Sequence, residues 1–238
     1  MAIAIGTFSR YVTLDARLAA PVPQGLSWAQ AATIPVAFLT AWYALHDLAK
    51  LQPGETLLVH AAAGGVGMAA VQLARRIGAK IVATASPQKW ALVSSQGVAL
   101  VASSRDLSFA QRFRPPEAKV DVVLNALAHE FTDASLSLLS PGGRFVEMGK
   151  TDIRDPNEVA LQYPGVQYRH FVLEEAGPAR IREMFAAIHR AFAAGDFVPL
   201  PVRAYALTEA EDAFRHMARA RHVGKLALLP PAKPSREP

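Results

Sequence analysis

The residues best suited to chemistry sit in one short stretch, Leu57-Leu-Val-His-Ala-Ala-Ala-Gly-Gly-Val-Gly67. An apolar run ends in small residues and glycines, and Val66-Gly67-Met68-Ala69-Ala70 then opens a helical pattern. A strand that feeds a glycine-rich turn and a helix N-terminus offers free N–H groups and a positive dipole end, an arrangement suited to a pyrophosphate. The expected phosphate-facing backbone is Ala63, Gly64, Gly65, Val66 and Gly67. Gly64 lets the chain approach the ligand, and Gly67 lets the helix pack closely on the strand. Ala62 stands where the usual G-x-G-x-x-G pattern has its first glycine. A tight structural turn would explain the same glycines without a ligand.

The end of the following strand decides which dinucleotide fits. NAD-binding folds place an Asp or Glu there to hold the ribose hydroxyls. Here the residues are Thr84-Ala85-Ser86, with Lys89 close behind and Arg105 further on in Ser103-Ser104-Arg105-Asp106. Ser86 can hydrogen-bond a 2′-phosphate while Lys89 and Arg105 neutralise it, so the expected cofactor is NADPH. The alternative is that both cations only dress a solvated surface.

These residues need a scaffold, and the chain supplies an alternating one. Strands are expected at 56–61, 80–85, 99–102, 120–125, 144–148 and 167–173, and helices at 66–77, 89–95, 130–139 and 178–194. A further helical pattern covers 37–50, and Ser27 is placed to cap a helix starting near Trp28. Strands and helices of these lengths in alternation indicate an α/β fold, a doubly wound parallel Rossmann sheet. The two ends depart from the alternation. Residues 8–18 read as a strand with a turn, while strands at 202–207 and 225–229 flank an amphipathic helix at 209–219. Both ends are assigned to a second, β-rich subdomain, and 230–238 to a flexible tail. Trp28, Trp42, Tyr43 and Trp90 are expected in the core or at a domain boundary, and His46 and His60 as satisfied core histidines.

Composition excludes several classes. In the 238 residues, 51% are hydrophobic and 19% charged, as in a folded globular protein. The net charge of +5 is spread thinly, without the basic cluster that a nucleic-acid surface needs. There is no cysteine, so disulfides, thiolate catalysis and Cys-dependent zinc sites are out, and the seven His lack metal-ligand spacing. No metal is expected. Without a signal-peptide pattern or a membrane-spanning apolar stretch, the expected location is the cytoplasm.

Several blocks together carry a family resemblance. Val36-Ala-Phe-Leu-Thr-Ala-Trp-Tyr-Ala-Leu-His-Asp-Leu48 precedes the nucleotide loop, and Ala83-Thr-Ala-Ser-Pro-Gln-Lys-Trp90, Asp121-Val-Val-Leu-Asn125, Gly143-Arg-Phe-Val-Glu-Met-Gly-Lys-Thr-Asp152 and Arg221-His-Val-Gly-Lys225 follow it. Across about residues 8 to 229 the chain resembles the enoyl-reductase domain of modular polyketide and fatty acid synthases, a zinc-independent branch of the medium-chain dehydrogenases/reductases. The resemblance implies that NADPH gives a hydride to the β-carbon of a trans-α,β-unsaturated thioester on an acyl carrier protein, and that the α-carbon then takes a proton. It further implies that residues 1–35 and 197–229 belong to a GroES-like catalytic domain, that 36–196 form the NADPH-binding domain, and that most of the GroES-like part precedes Met1 or comes from a partner chain or synthase module.

On that basis Lys150, just past the strand end at Met148-Gly149, is the expected proton donor; the alternative is a lysine that holds a phosphate or the loop. Asn125, Met148 and Gly149 end strands facing the same crevice and are expected to touch the cofactor, although strand capping would also suit Asn125. Lys225 either reaches the cofactor phosphates or lies on the surface. The sequence departs from the family where an Asp serves as a second candidate acid: Tyr168-Arg169-His170-Phe171-Val172 has Val172 there, leaving His170, Glu174 or Glu175 to compensate. The segment between Lys89 and Arg105 is also slightly short for the family. A quinone or small-enone reductase of the same superfamily, and a non-catalytic NADPH-binding fragment, are the competing functions.

Overall fold

The structure is a computed structural model that describes residues 1–8, 11–115 and 118–231. Its centre is a six-stranded parallel sheet of β1 (Thr56–Val59), β2 (Lys80–Ala85), β3 (Leu100–Ser103), β4 (Val120–Asn125), β5 (Leu139–Glu147) and β6 (Gln167–His170), in the order β3-β2-β1-β4-β5-β6. The expected doubly wound sheet is therefore present. The strand order turns back on itself between β1 and β4, and open α/β sheets bind ligands beyond the carboxyl ends of the strands at such a point.

Strands buried on both faces read as continuous apolar runs, which is why β1 and β4 are Thr-Leu-Leu-Val and Val-Asp-Val-Val-Leu-Asn. Alternate side chains feed two separate cores. Leu57, Val59, Val122 and Leu124 join the cluster under the helices α2 (Ile34–Trp42), α3 (Gly65–Ile77) and α8 (Gly177–Ala193). Leu58, Val120 and Val123 join Phe109, Phe113, Leu136 and Phe145 on the other face. The buried side of α3 is Gly67, Met68, Ala69, Ala70, Val71, Leu73 and Ala74, small enough at its start for close contact with β1. Gly78 ends α3 in the left-handed conformation, with Arg75 and Arg76 in its last turn.

Around this frame lie α1 (Trp28–Ala32), α4 (Trp90–Ser95), α5 (Ser108–Arg112), α6 (Glu130–Leu136), α7 (Pro156–Gln162) and α9 (Ala210–Ala218). Ser27 caps α1 in a reciprocal box with Gln30, as its position predicts. The helix α2 continues as a π-turn over Tyr43–Leu48. Strands β7 (Val202–Ala206) and β8 (Lys225–Leu229) pair in parallel as a separate two-stranded sheet.

Several expectations are corrected. Residues 8–18 contain no strand among those described; a single 3-10 turn at Ala16–Leu18 follows, and Ala2 bridges Ala19. The helices α5 and α7 were not anticipated, because each is under eight residues and α7 is announced only by its Asp155 cap. The helix α6 stops at Leu136, short of 139, and Pro141-Gly142-Gly143 form an irregularity inside β5, where the register with β4 jumps from Val120↔Leu139 to Val122↔Arg144. The strand β6 stops at His170, short of 173. Trp28 is 79% exposed rather than packed, and His46 is exposed, paired with Asp47 and stacked on Trp42. Of the expected tail, residues 232–238 lie outside the described residues.

Candidate functional site

The loop from β1 to α3 is built to bring backbone close to backbone. Ala61 takes a left-handed φ of +52°, and its carbonyl accepts from the Gly64 N–H at 2.8 Å. A Cβ on Gly67 would lie 2.6 Å from the Ala61 oxygen and 2.7 Å from the Ala62 Cα, so only glycine seats α3 here. Gly64 is less crowded, its added Cβ meeting only the Ala61 oxygen at 3.2 Å. Gly64 caps α3 without a side chain, and the first-turn amides of Gly65, Val66 and Gly67 have no acceptor within the helix.

A distant segment crosses this loop. The Gly224 N–H donates to the Ala63 carbonyl at 2.9 Å, and Gly224 itself, at φ +63°, leaves no room for a side chain against the Pro201 oxygen. The stem of Lys225 then lies on Gly65, where an added Cβ would be 2.5 Å from Cδ. Burial holds the Lys225 ammonium below the usual lysine range.

At the carboxyl end of β2, Ser86 is buried and Lys89 follows a 3-10 turn. Lys89 Nζ donates to the carbonyls of Ala220 at 2.8 Å and His222 at 2.7 Å, tying the C-terminal segment over the sheet edge. Its pKa is lowered by burial and by the charge of Arg105, so the two cations are neighbours. His222 is lowered too, by burial and then by Lys89, His216 and Lys225. Among the described residues none of Lys89, Arg105 or Lys225 has a carboxylate within ion-pair distance. The nearest acid in sequence, Asp106, is committed to Ser108 and Ser103. The result is a track of basic groups running from the start of α3 to the end of β2.

The third group lies at the ends of β4 and β5. Asn125 is fully buried; its Nδ2 donates to the Leu127 carbonyl at 2.8 Å and to Glu147, and its Oδ1 accepts from the Leu127 N–H. Those bonds make it a cap on β4. Met148 N–H donates to the Asn125 carbonyl, and Gly149 N–H donates to Glu147. Lys150 comes next and is exposed. Val172 is exposed, Glu175 is taken up by Arg169 and the Val172 N–H, and His170 Nε2 is buried without a hydrogen-bond partner. His60 is the satisfied core histidine expected of it: its ring bonds Thr84 and Ser135, each at 2.8 Å, and burial pushes its pKa down to about 3.

The sequence-based site thus falls into three clusters around the switch point. Glu147 is the residue that reading missed, though an acid inside Arg-Phe-Val-Glu-Met, on a strand with no exposed face at that position, was the available signal. The three clusters suit a phosphate-bearing dinucleotide: open amides at a helix start, unneutralised cations, and a crevice between strand ends. They do not suit zinc. The chain has no cysteine, and among the described residues no group of three or more His, Asp and Glu could hold a metal ion.

Comparison with known proteins is consistent with this geometry. The profile of the zinc-binding dehydrogenase family matches residues 96–228. The chain is 54% identical over 233 residues to polyketide synthase GfsB of Streptomyces halstedii, covering 97% of the chain and 4% of that protein. It spans a small fraction of the curated relatives it matches. Among solved structures, the CurK enoyl reductase superposes with a TM-score of 0.88 at 43% identity, over 92% of this chain and 68% of that one. The nucleotide-binding subdomain of the enoylreductase domain of PpsC from Mycobacterium tuberculosis gives a TM-score of 0.63 at 38% identity, over 70% of this chain and 97% of that one.

Proposed function

The chain belongs to the zinc-binding dehydrogenase family and, within it, to the enoyl reductases of polyketide synthases, and from that membership we propose that it takes NADPH and reduces a trans-α,β-unsaturated acyl thioester carried on an acyl carrier protein. In this reading residues 36–196 form the cofactor domain, while 1–35 and 197–229 belong to a GroES-like domain, in the cytoplasm. No helix among the described residues is long and apolar enough to cross a membrane.

The observation that carries the reading is the basic track. Lys225, His222 and Lys89 are each held below their usual proton affinity by burial, and Lys89 and His222 also by neighbouring cations, with no carboxylate among the described residues to meet the lysines or Arg105. A ligand with a pyrophosphate at one end of the track and a 2′-phosphate at the other would complete it. The α3 amides and Lys225 take the pyrophosphate; Ser86, Lys89 and Arg105 take the 2′-phosphate. The bound dihydronicotinamide supplies the hydride for the β-carbon. The protein's own part is to hold the acyl chain at the ends of β4 and β5, exclude water there, and deliver the α-carbon proton from Lys150 Nζ.

The test is turnover: NADPH oxidation driven by crotonyl thioester against that driven by a quinone, with the reductase in its synthase context. Faster turnover of the thioester is expected. A preference for the quinone would move the chain to the small-enone reductases of the same superfamily.

A further inference from the structure

Glu147 is 1% exposed and is the only carboxylate among the buried described residues. It closes β5 at the sheet edge that faces the crevice, and its two oxygens have separate partners. Oε2 accepts from Asn125 Nδ2 and Oε1 from the Gly149 N–H, each at 2.5 Å. Asn125 in turn holds both the N–H and the carbonyl of Leu127. One carboxylate therefore fastens the exit of β4 to the exit of β5. The sequence makes room for it: a Cβ on Gly149 would lie 2.7 Å from Oε1, so the glycine of Glu147-Met148-Gly149 admits the carboxylate.

An acid in this position is costly to fold. Burial pushes the Glu147 pKa up, as does Asp152 more weakly, and only the bonds from Asn125 and Gly149 and the charge of His170 oppose that. No Lys or Arg pairs with it among the described residues. A core that needed only stability would put an apolar side chain here. His170, its register partner across β5–β6, has a buried Nε2 with no hydrogen bond, a second sign that polar groups gather at this edge for a reason other than packing.

We propose that Glu147 is a positioning residue that locks the exits of β4 and β5 into the shape receiving the nicotinamide end of the cofactor, without influence on the adenosine end. The inference rests on the NADPH reading above. The adenosine end is assigned to Ser86, Lys89 and Arg105, which follow β2 and β3, and none of them shares a hydrogen bond with this network.

The discriminating probes are NADPH and 2′,5′-ADP, which carries the 2′-phosphate but no nicotinamide. In Glu147→Gln the new amide keeps an acceptor for Gly149 but turns a donor toward the Asn125 donor, breaking the fastening. With that fastening lost, NADPH affinity should fall by about tenfold or more, about 1.4 kcal/mol. Affinity for 2′,5′-ADP should stay within about twofold, on the same scale. The double variant Asn125→Asp/Glu147→Gln restores the contact between the two side chains, since the new aspartate accepts from the new glutamine and from Leu127 N–H, but it gives up the donor to the Leu127 carbonyl; it should recover part of the NADPH affinity. Glu147→Asp, which keeps the charge but shortens the reach, should behave like the single Gln variant and serves if that one does not fold. Equal losses for both ligands would reduce Glu147 to a structural role, and unchanged NADPH affinity would overturn the proposal outright. If the wild-type protein binds neither ligand, the NADPH reading falls first, and the two failures are told apart.

Discussion

A lysine gives up a proton near neutral pH only when its charged form is penalised, by burial or by a second cation. Lys150 lies exposed beyond the end of β5. The family's alternative acid is Val172 here, and Glu175 is engaged with Arg169 and the Val172 amide. In the proposed reaction, proton delivery therefore leans on Lys150. Lys150→Ala should lower thioester turnover by about 10²–10⁴-fold while NADPH affinity is retained; an equally fast variant would place the proton on His170 or water. His60 makes a different prediction, one about folding. Its pKa falls from 6.5 to about 3 on burial, so the unfolded chain binds a proton there that the native chain does not. Its contribution is complete above pH 6.5 and is lost as the pH drops toward 3. Urea unfolding followed across that range should show a steeper acid loss in the wild type than in His60→Gln, whose amide stays neutral throughout. Parallel curves would contradict the account. His60 was legible from sequence because it ends an apolar strand. His46 was misread because the helical pattern of 37–50 continues past the core, and the π-turn rotates that side chain into solvent.

At the scale of elements, the strands with the densest β-branched runs were read to the residue, as at 80–85 and 120–125, because a parallel strand buried on both faces tolerates little else. Short helices and irregular strands were not legible. The break inside β5 depends on Gly142 at φ +86° meeting the loop at Gly165, a contact between segments far apart in sequence. The same limit hid the crowding at Gly224, whose neighbour is Pro201, and at Gly149, whose neighbour is the Glu147 side-chain oxygen. The close packing expected at Gly67 is present, and the structure ranks the loop's two glycines. Gly67 faces backbone at 2.6 and 2.7 Å, whereas Gly64 has a single contact at 3.2 Å. Gly67→Val should displace α3, cost about 1–3 kcal/mol of stability in the manner of an overpacked core, and abolish NADPH binding. Gly64→Val should leave stability nearly unchanged and impair binding only, by obstructing the phosphates. Thermal unfolding and titration calorimetry on both variants separate the two roles; equal stability losses would contradict the ranking.

For the whole molecule, the sheet order and the C-terminal segment act together. The turn-back between β1 and β4 opens the crevice, and the return of 220–225 across the α3 start and the β2 end brings Lys89, His222 and Lys225 into one track with Arg105. Sequence reading found Lys89, Arg105 and Lys225 singly, from motif position, and passed over His222; nothing in their spacing announced that 133 residues of chain separate a lysine from the carbonyl it holds. That contact also changes which variant is informative. Lys89 spends two donors on backbone carbonyls, so its removal would loosen the C-terminal segment as well as the charge, whereas Arg105 is exposed and has no carboxylate partner among the described residues. The most direct measurement is therefore the pair of dissociation constants for NADPH and NADH, by titration calorimetry at low salt, in the wild type and in Arg105→Ala. A charge-assisted phosphate contact of about 1.5–3 kcal/mol predicts that the wild type binds NADPH at least about tenfold more tightly than NADH, and that Arg105→Ala narrows the gap mainly by weakening NADPH. Equal affinities for the two cofactors in the wild type would contradict the claim that this basic track is a site for NADPH.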